Sequence, residues 1–200
     1  MLKNTVTVLT ILLVSLTAVS CRSQTPAPES DISSPASSTA SLIFSEIPDR
    51  TALELLYQNA ITSYEMFESV PLAYSETNSV SSGGTQYYQV TDNNFKTYEA
   101  FENHIKSIFA PDISKKLFDT GMYVNIDGRL YTTKTAKEKN NKKGSETYSY
   151  MKMSDTKVIL KVKAENLKDD LKTVSDYTTY DFVYEKTDGT WSFAEFPYFR

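Results

Sequence analysis

Two Asp-Gly pairs, Asp127-Gly128 and Asp188-Gly189, each sit between short runs in which apolar and polar residues alternate. Both residue types tolerate positive φ, so each pair predicts a two-residue β-hairpin turn. This commits much of the chain after residue 122 to antiparallel strands. The segments 122–126, 146–153, 157–165 and 178–185 are the expected strands, with a further hairpin around Ser154-Asp155-Thr156. Val158, Leu160 and Val162 point one way while Lys161 and Lys163 point the other, which describes a sheet with one wet face. Tyr180, Phe182 and Tyr184 share one strand face, and Trp191 and Phe193 return after the last turn. Residues 166–173 are open between a short helix and a loop.

Upstream the period changes. Leu53, Leu56, Ala60, Tyr64 and Phe67 recur at spacings of three or four, which predicts a helix over 50–68. Pro48 suits a first turn, and Glu46 and Asp49 favour its positive end. Pro71 and an exposed loop over 72–84 end that helix. Gly83-Gly84 supplies backbone freedom, and "TQYYQVT" then reads as a strand. Thr97 caps a second helix over 98–109 with Phe101, Ile105 and Ile108 on one face. Pro111 opens a shorter helix that closes near Gly121. Helices first and strands later give an α+β domain over 46–200, with N-terminal helices packed on one face of a twisted antiparallel β-sheet.

Residues 1–20 contain one charge, Lys3, followed by an apolar run over 6–19 of signal-peptide length. Ala18, Val19 and Ser20 then precede Cys21, the only cysteine of the chain. This resembles a bacterial lipoprotein signal in which Cys21 takes lipid and becomes the mature N-terminus; the alternative is an ordinary secretory peptide that leaves a free thiol. One cysteine excludes an internal disulfide framework. Residues 22–41 hold three prolines, many serines and one strongly apolar side chain, Ile32. That composition buries too little to offset ordering, so 21–45 is expected to be a disordered tether. The expected location is the outer face of the cytoplasmic membrane, with Cys21 meeting membrane lipid.

The chain carries a formal charge of −4, and losing the leader with Lys3 leaves −5. Nucleic acid is an unpromising partner for such a balance. His104 is the single histidine, without a cysteine in the folded part, so histidine-dependent triads and His/Cys zinc sites lack their parts. It reads as a surface or half-buried helix residue. No Gly-rich phosphate loop occurs. Asp169, Asp170 and Glu195 are acid candidates by residue type alone, and the Asp-Gly segments lack a calcium loop around them. No enzyme activity, cofactor or metal is expected, and the domain is expected to be a monomer.

Two surface features are candidates for contact. Lys134, Lys137, Lys139, Lys142 and Lys143 form a cationic stretch that either meets an anionic wall polymer or headgroup, or is a solvated loop. Among fourteen tyrosines, Tyr87 and Tyr88 with Tyr180, Tyr184 and Trp191 form a candidate aromatic patch; ordinary sheet residues are the other reading.

Residues 87–133, with Tyr87 and Tyr88, the helix after Thr97, Phe109, and the turn Ile126-Asp127-Gly128-Arg129-Leu130-Tyr131, resemble the DL-endopeptidase inhibitor (IseA-like) family of Gram-positive bacteria. The terminal "DGTWSFAEFPY" extends the likeness towards residue 200. Small exported cystatin-like and NTF2-like domains share the ending of turn, Trp and aromatic strand. The family resemblance implies a non-catalytic protein that obstructs papain-like peptidases of the cell wall. The competing class is a module that binds a small ligand or wall polymer near the membrane. An inhibitor needs a protruding loop, with 72–84 and 134–145 as candidates, whereas a ligand module needs a pocket with a few convergent polar groups.

Overall fold

The computed structural model describes residues 46–134 and 136–200. Cys21, the lipoprotein signal and the expected tether lie outside the described residues. Helix α1 spans Arg50–Glu68, and the Asp49 carboxylate caps it by accepting from the Ala52 N–H at 2.8 Å. Pro48 therefore precedes the cap rather than opening the first turn. The buried stripe of α1 is Leu53, Tyr57, Ala60, Ile61 and Phe67, while Leu56 and Tyr64 are half-buried.

Strands β1 (Tyr74–Ser82) and β2 (Thr85–Val90) form a hairpin across Gly83-Gly84, whose φ angles of 57° and 82° suit only glycine comfortably. The expected loop over 72–84 is thus largely a strand. Its polar sequence is exposed over 76–82, so no buried face imposed an apolar alternation. Helix α2 (Tyr98–Ile108) begins at Thr97, whose hydroxyl accepts from the Ala100 N–H. Helix α3 (Pro111–Phe118) follows after two extended residues, Phe109 and Ala110, and the turn after it closes at Gly121, where φ is 68°. Strands β3 (Tyr123–Ile126) and β4 (Arg129–Thr132) flank Asp127-Gly128, where φ is 50° and 78° as the turn requires.

The remaining strands are β5 (Lys143–Lys152), β6 (Lys157–Leu167), β7 (Val174–Thr187) and β8 (Thr190–Glu195). All pair antiparallel, in two four-stranded sheets ordered β1-β2-β4-β3 and β5-β6-β7-β8. The fold is α+β as expected, with its strands divided between two sheets instead of one. The division falls at the lysine-rich connection: ten residues separate β4 from β5, too many for a tight hairpin, and β4 pairs with β2 instead. The ambiguous stretch 166–173 completes β6 and turns into β7, where the Asp170 carboxylate accepts from the Lys172 and Thr173 N–H groups. Leu171 takes φ 55° there, a conformation its residue type does not advertise.

Val158, Leu160 and Val162 of β6 are fully buried and join Leu53 and Tyr57 of α1 in one core. The other face of the second sheet is wet and carries the Lys161–Asp181 pair at 2.7 Å. Phe101 links several elements at once: its ring lies 5.5 Å from Phe67 of α1, 5.9 Å from Phe118 of α3 and 4.6 Å from Tyr123 of β3. Tyr123 in turn ties down the end of α1, donating to the Met66 carbonyl and accepting from the Leu72 N–H. A bridge between Phe109 and Phe193 sets the end of α2 beside β8, supported by the Ala110 N–H to Phe193 carbonyl bond at 2.9 Å.

The segment after β8 packs as a strap. Tyr198 stacks on Tyr64 at 4.7 Å, Phe199 stacks on Tyr180 at 4.1 Å, and Arg200 reaches Glu146 of β5. No helix among the described residues is long and apolar enough to cross a membrane.

Candidate functional site

Helix periodicity builds the main concavity. Leu55, Leu56, Asn59, Ser63 and Met66 recur down one side of α1, at spacings that place them on neighbouring turns. Ala100, Asn103, His104 and Ser107 do the same on α2. The two rows face a shared groove of about 760 Å³, within the usual size of small-molecule sites. Buried Tyr184 of β7 and Phe193 of β8 line its base with Ile108, and Asn94 and Phe95 close it from the segment before α2. Asn59, Asn94 and Asn103 are exposed, Leu56, Met66 and Phe95 are half-buried, and Ser63 is buried. The groove therefore has an apolar body and an uncharged rim in which the asparagines alternate with exposed Leu55 and Ala100.

His104 and Ser63 meet inside it. The Ser63 Oγ lies 3.0 Å from His104 Nε2, and the His104 ring sits 5.0 Å from Phe95. Burial pushes the imidazole pKa below its usual 6.5, because the charged form loses hydration. At neutral pH the ring is uncharged and pairs with the hydroxyl as donor or acceptor according to its tautomer. The pairing of serine with histidine is one that nucleophilic catalysis uses, but Ser63 lies in the interior of a helix. Among the described residues no carboxylate orients the ring, so the pair lacks the third member of a triad.

The His104 shift has a testable sign. The folded chain binds this proton less readily than the unfolded one, so the unfolded chain carries more protons between the two pKa values. The stability contributed by neutral His104 is complete above about pH 6.5 and is lost as pH falls through the folded value. His104→Gln should flatten that part of the profile. Urea midpoints between about pH 5 and 7.5, above the ordinary carboxylate range, read it. Parallel profiles for the two proteins would exclude His104 as the cause.

The five lysines are engaged within the molecule. Lys134 pairs with Glu76 of β1 at 2.9 Å, Lys137 with Glu68 at 2.6 Å and Lys139 with Glu65 at 2.8 Å, the last two on α1. Lys142 pairs with Asp169 at 2.6 Å, and Lys143, already in β5, donates to Asn166 and to the Tyr180 hydroxyl. Their charge is largely matched, though the side chains of Lys134, Lys137, Lys139 and Lys142 stay exposed. The connection is consequently laced to α1, β1 and the β6–β7 turn. Asp169 is held below the usual carboxylate range by Lys142, and Asp170 by its bonds to Thr173 and Lys172, which gives both a place in the turn. Glu195 is exposed at the end of β8.

The aromatic candidates do not form one patch. Tyr87 donates to the Gly121 carbonyl, and Tyr88 lies under the Lys134 ammonium at 4.5 Å from its ring centre; both belong to the first sheet. Tyr180 is covered by Phe199. Tyr184 and Trp191 are buried and stack on each other at 5.5 Å, and burial pushes the Tyr184 phenol up to about 12. Only Tyr184 reaches the groove. Ser63 and the three asparagines were not sequence candidates, because scattered neutral polar residues gain meaning only when two helices bring them together. Among the described residues, no group of three His, Cys, Asp or Glu side chains is arranged to hold a metal ion.

Comparison with known proteins finds no matching family model and no matching curated protein.

Proposed function

We propose that this protein is a non-catalytic binding module of the cell envelope, held to the membrane through lipid on Cys21, whose α1–α2 groove takes a small ligand. The observation that carries the reading is the groove itself: an apolar body with asparagine amides and the Ser63–His104 pair converging on it. The signal-like sequence before Cys21 supports the envelope location, and intact-mass analysis of the native protein tests it. Soluble mature protein with an unmodified Cys21 would remove the anchor from the proposal.

A fragment collection screened against the mature chain by protein-observed NMR is expected to yield ligands that perturb α1 and α2 together. Ala100 is exposed at the groove edge, so Ala100→Trp fills the space without disturbing the core. It should weaken such ligands by about tenfold or more, a loss of roughly 1.4 kcal/mol. Equal binding to both proteins would move the ligand elsewhere, and a screen without hits would sink the ligand module.

The β1–β2 hairpin favours a second reading. It is exposed from Glu76 to Gln86 and turns on two glycines, the shape needed to enter a cleft, which accords with the resemblance to the DL-endopeptidase inhibitors. Mature protein at stoichiometric concentration should then slow muropeptide cleavage by papain-like wall peptidases of the same cell. Undiminished cleavage by the whole set, with no complex on size exclusion, would end that reading.

A further inference from the structure

We infer that the ligand of the groove is an electrically neutral amphiphile: an apolar chain or ring carrying a hydroxyl, ester or amide head. The inference rests on the binding role proposed above and adds the chemical class. Charged residues make up 23% of the chain, yet no Asp, Glu, Lys or Arg lines the groove among the described residues. Its one group that titrates near neutrality, His104, is held uncharged by burial.

Four of the five carboxylates of the two flanking helices are also occupied, and the fifth, Glu99 in the first turn of α2, is exposed and does not line the groove. Glu54 pairs with Arg50 and Glu102 with Lys106, each within its own helix, while Glu65 and Glu68 are taken by Lys139 and Lys137 from the β4–β5 connection. An ammonium or carboxylate entering the groove would shed water without gaining a counter-charge from the lining, a cost that grows with the depth of burial. A neutral head meets no such penalty. Each asparagine amide offers both donors and an acceptor, so Asn59, Asn94 and Asn103 suit hydroxyl, ester and amide groups equally.

The body of the ligand follows from the walls. Leu55 is 65% exposed at the mouth, an apolar side chain left in water where the groove opens. Together with Leu56, Met66 and Phe95 it continues apolar surface from the base to the rim. A ligand that covers Leu55 gains affinity by removing this apolar surface from water. Methionine adds adaptable packing against tails of different shape.

A matched series separates the class from the site. 1-Octanoylglycerol, octanoate and octylammonium share one tail and differ in head charge. Titrated below their micellar concentrations into the mature chain at pH 7, the neutral compound should bind about tenfold or more tighter than either ion. The discrimination is set below the full burial cost because the groove is open to solvent. Asn103→Lys, at an exposed helix position, should bring octanoate level with the neutral compound or above it. Equal or tighter binding of either ion to the parent chain would overturn the neutral class. So would fragment hits in the groove with no binding of any octyl compound. If neither fragments nor octyl compounds bind, the ligand-binding role itself falls and takes this inference with it.

Discussion

Phe101→Ala is expected to cost about 3–5 kcal/mol of folding stability, the range for deleting a fully buried aromatic ring. Phe101 has no exposed surface, and its ring contacts Phe67, Phe95, Phe118 and Tyr123. Those partners come from α1, the segment before α2, α3 and β3, so collapse around the cavity would require four separate pieces of chain to move together. A domain of this size has only about 5–15 kcal/mol in reserve, and the variant should be partly unfolded near physiological temperature. Phe101→Leu keeps most of the volume and should lose much less. Urea denaturation of both variants reads the difference. An alanine variant within about 1 kcal/mol of the parent would mean that Phe101 does not join these elements.

Arg200→Ala should be the second most damaging change, at about 2–3 kcal/mol, set below the 3–5 kcal/mol typical of breaking a fully buried pair because Arg200 keeps some solvent contact. The Glu146 side chain is only 8% exposed, and its Oε1 accepts from Arg200 at 3.0 and 2.7 Å. Its Oε2 accepts from the Tyr57 and Tyr148 hydroxyls at 3.2 and 2.9 Å. Without the guanidinium, the two phenols remain but no positive charge faces the carboxylate. Burial, and then Glu146 itself, pushes the Tyr148 phenol up to about 12, and the same two causes raise Tyr57 further, so neither phenol supplies charge. Adding Glu146→Gln to Arg200→Ala removes the stranded charge and should recover a substantial part of the loss. A double variant as unstable as the additive sum would show that Arg200 acts through packing over the Tyr57 ring, 5.9 Å away, rather than through its charge.

Much of the fold is legible from local rules. Thr97 and Asp49 cap helices because their side-chain oxygens satisfy first-turn N–H groups, and Asp127-Gly128 and Asp188-Gly189 turn because they accept positive φ. Misreadings arise where the deciding interaction is remote. β1 is polar on both faces and gains its strand from pairing with β2, which no periodicity announces. The split into two sheets depends on β4 choosing β2 over β5, a choice between distant partners. Leu171 holds a left-handed conformation because Asp170 organises the turn around it.

The candidate site was less legible than the fold. His104 stood out as the lone histidine, but its partner Ser63 lies 41 residues earlier and is one serine among many. The conspicuous features pointed elsewhere. Four of the five lysines are spent on internal ion pairs and Lys143 on hydrogen bonds, and four of the five named aromatic residues do not line the groove. Residue type signals availability for contact; only the packing of α1 against α2 decides which groups converge.

The stacking of Trp191 on Tyr184 gives the molecule an optical consequence. Trp191 is the only tryptophan in the chain, and the ring it lies on forms part of the groove base, with the two planes inclined by 8°. All indole emission therefore originates one ring away from the proposed ligand. Displacing water from the near side of Tyr184 alters the polarity and rigidity around that pair, while a partner gripping the β1–β2 hairpin touches neither ring. An unlabelled sample thus carries its own lamp at the back of the groove, and the colour and anisotropy of its light separate occupancy there from capture at the hairpin.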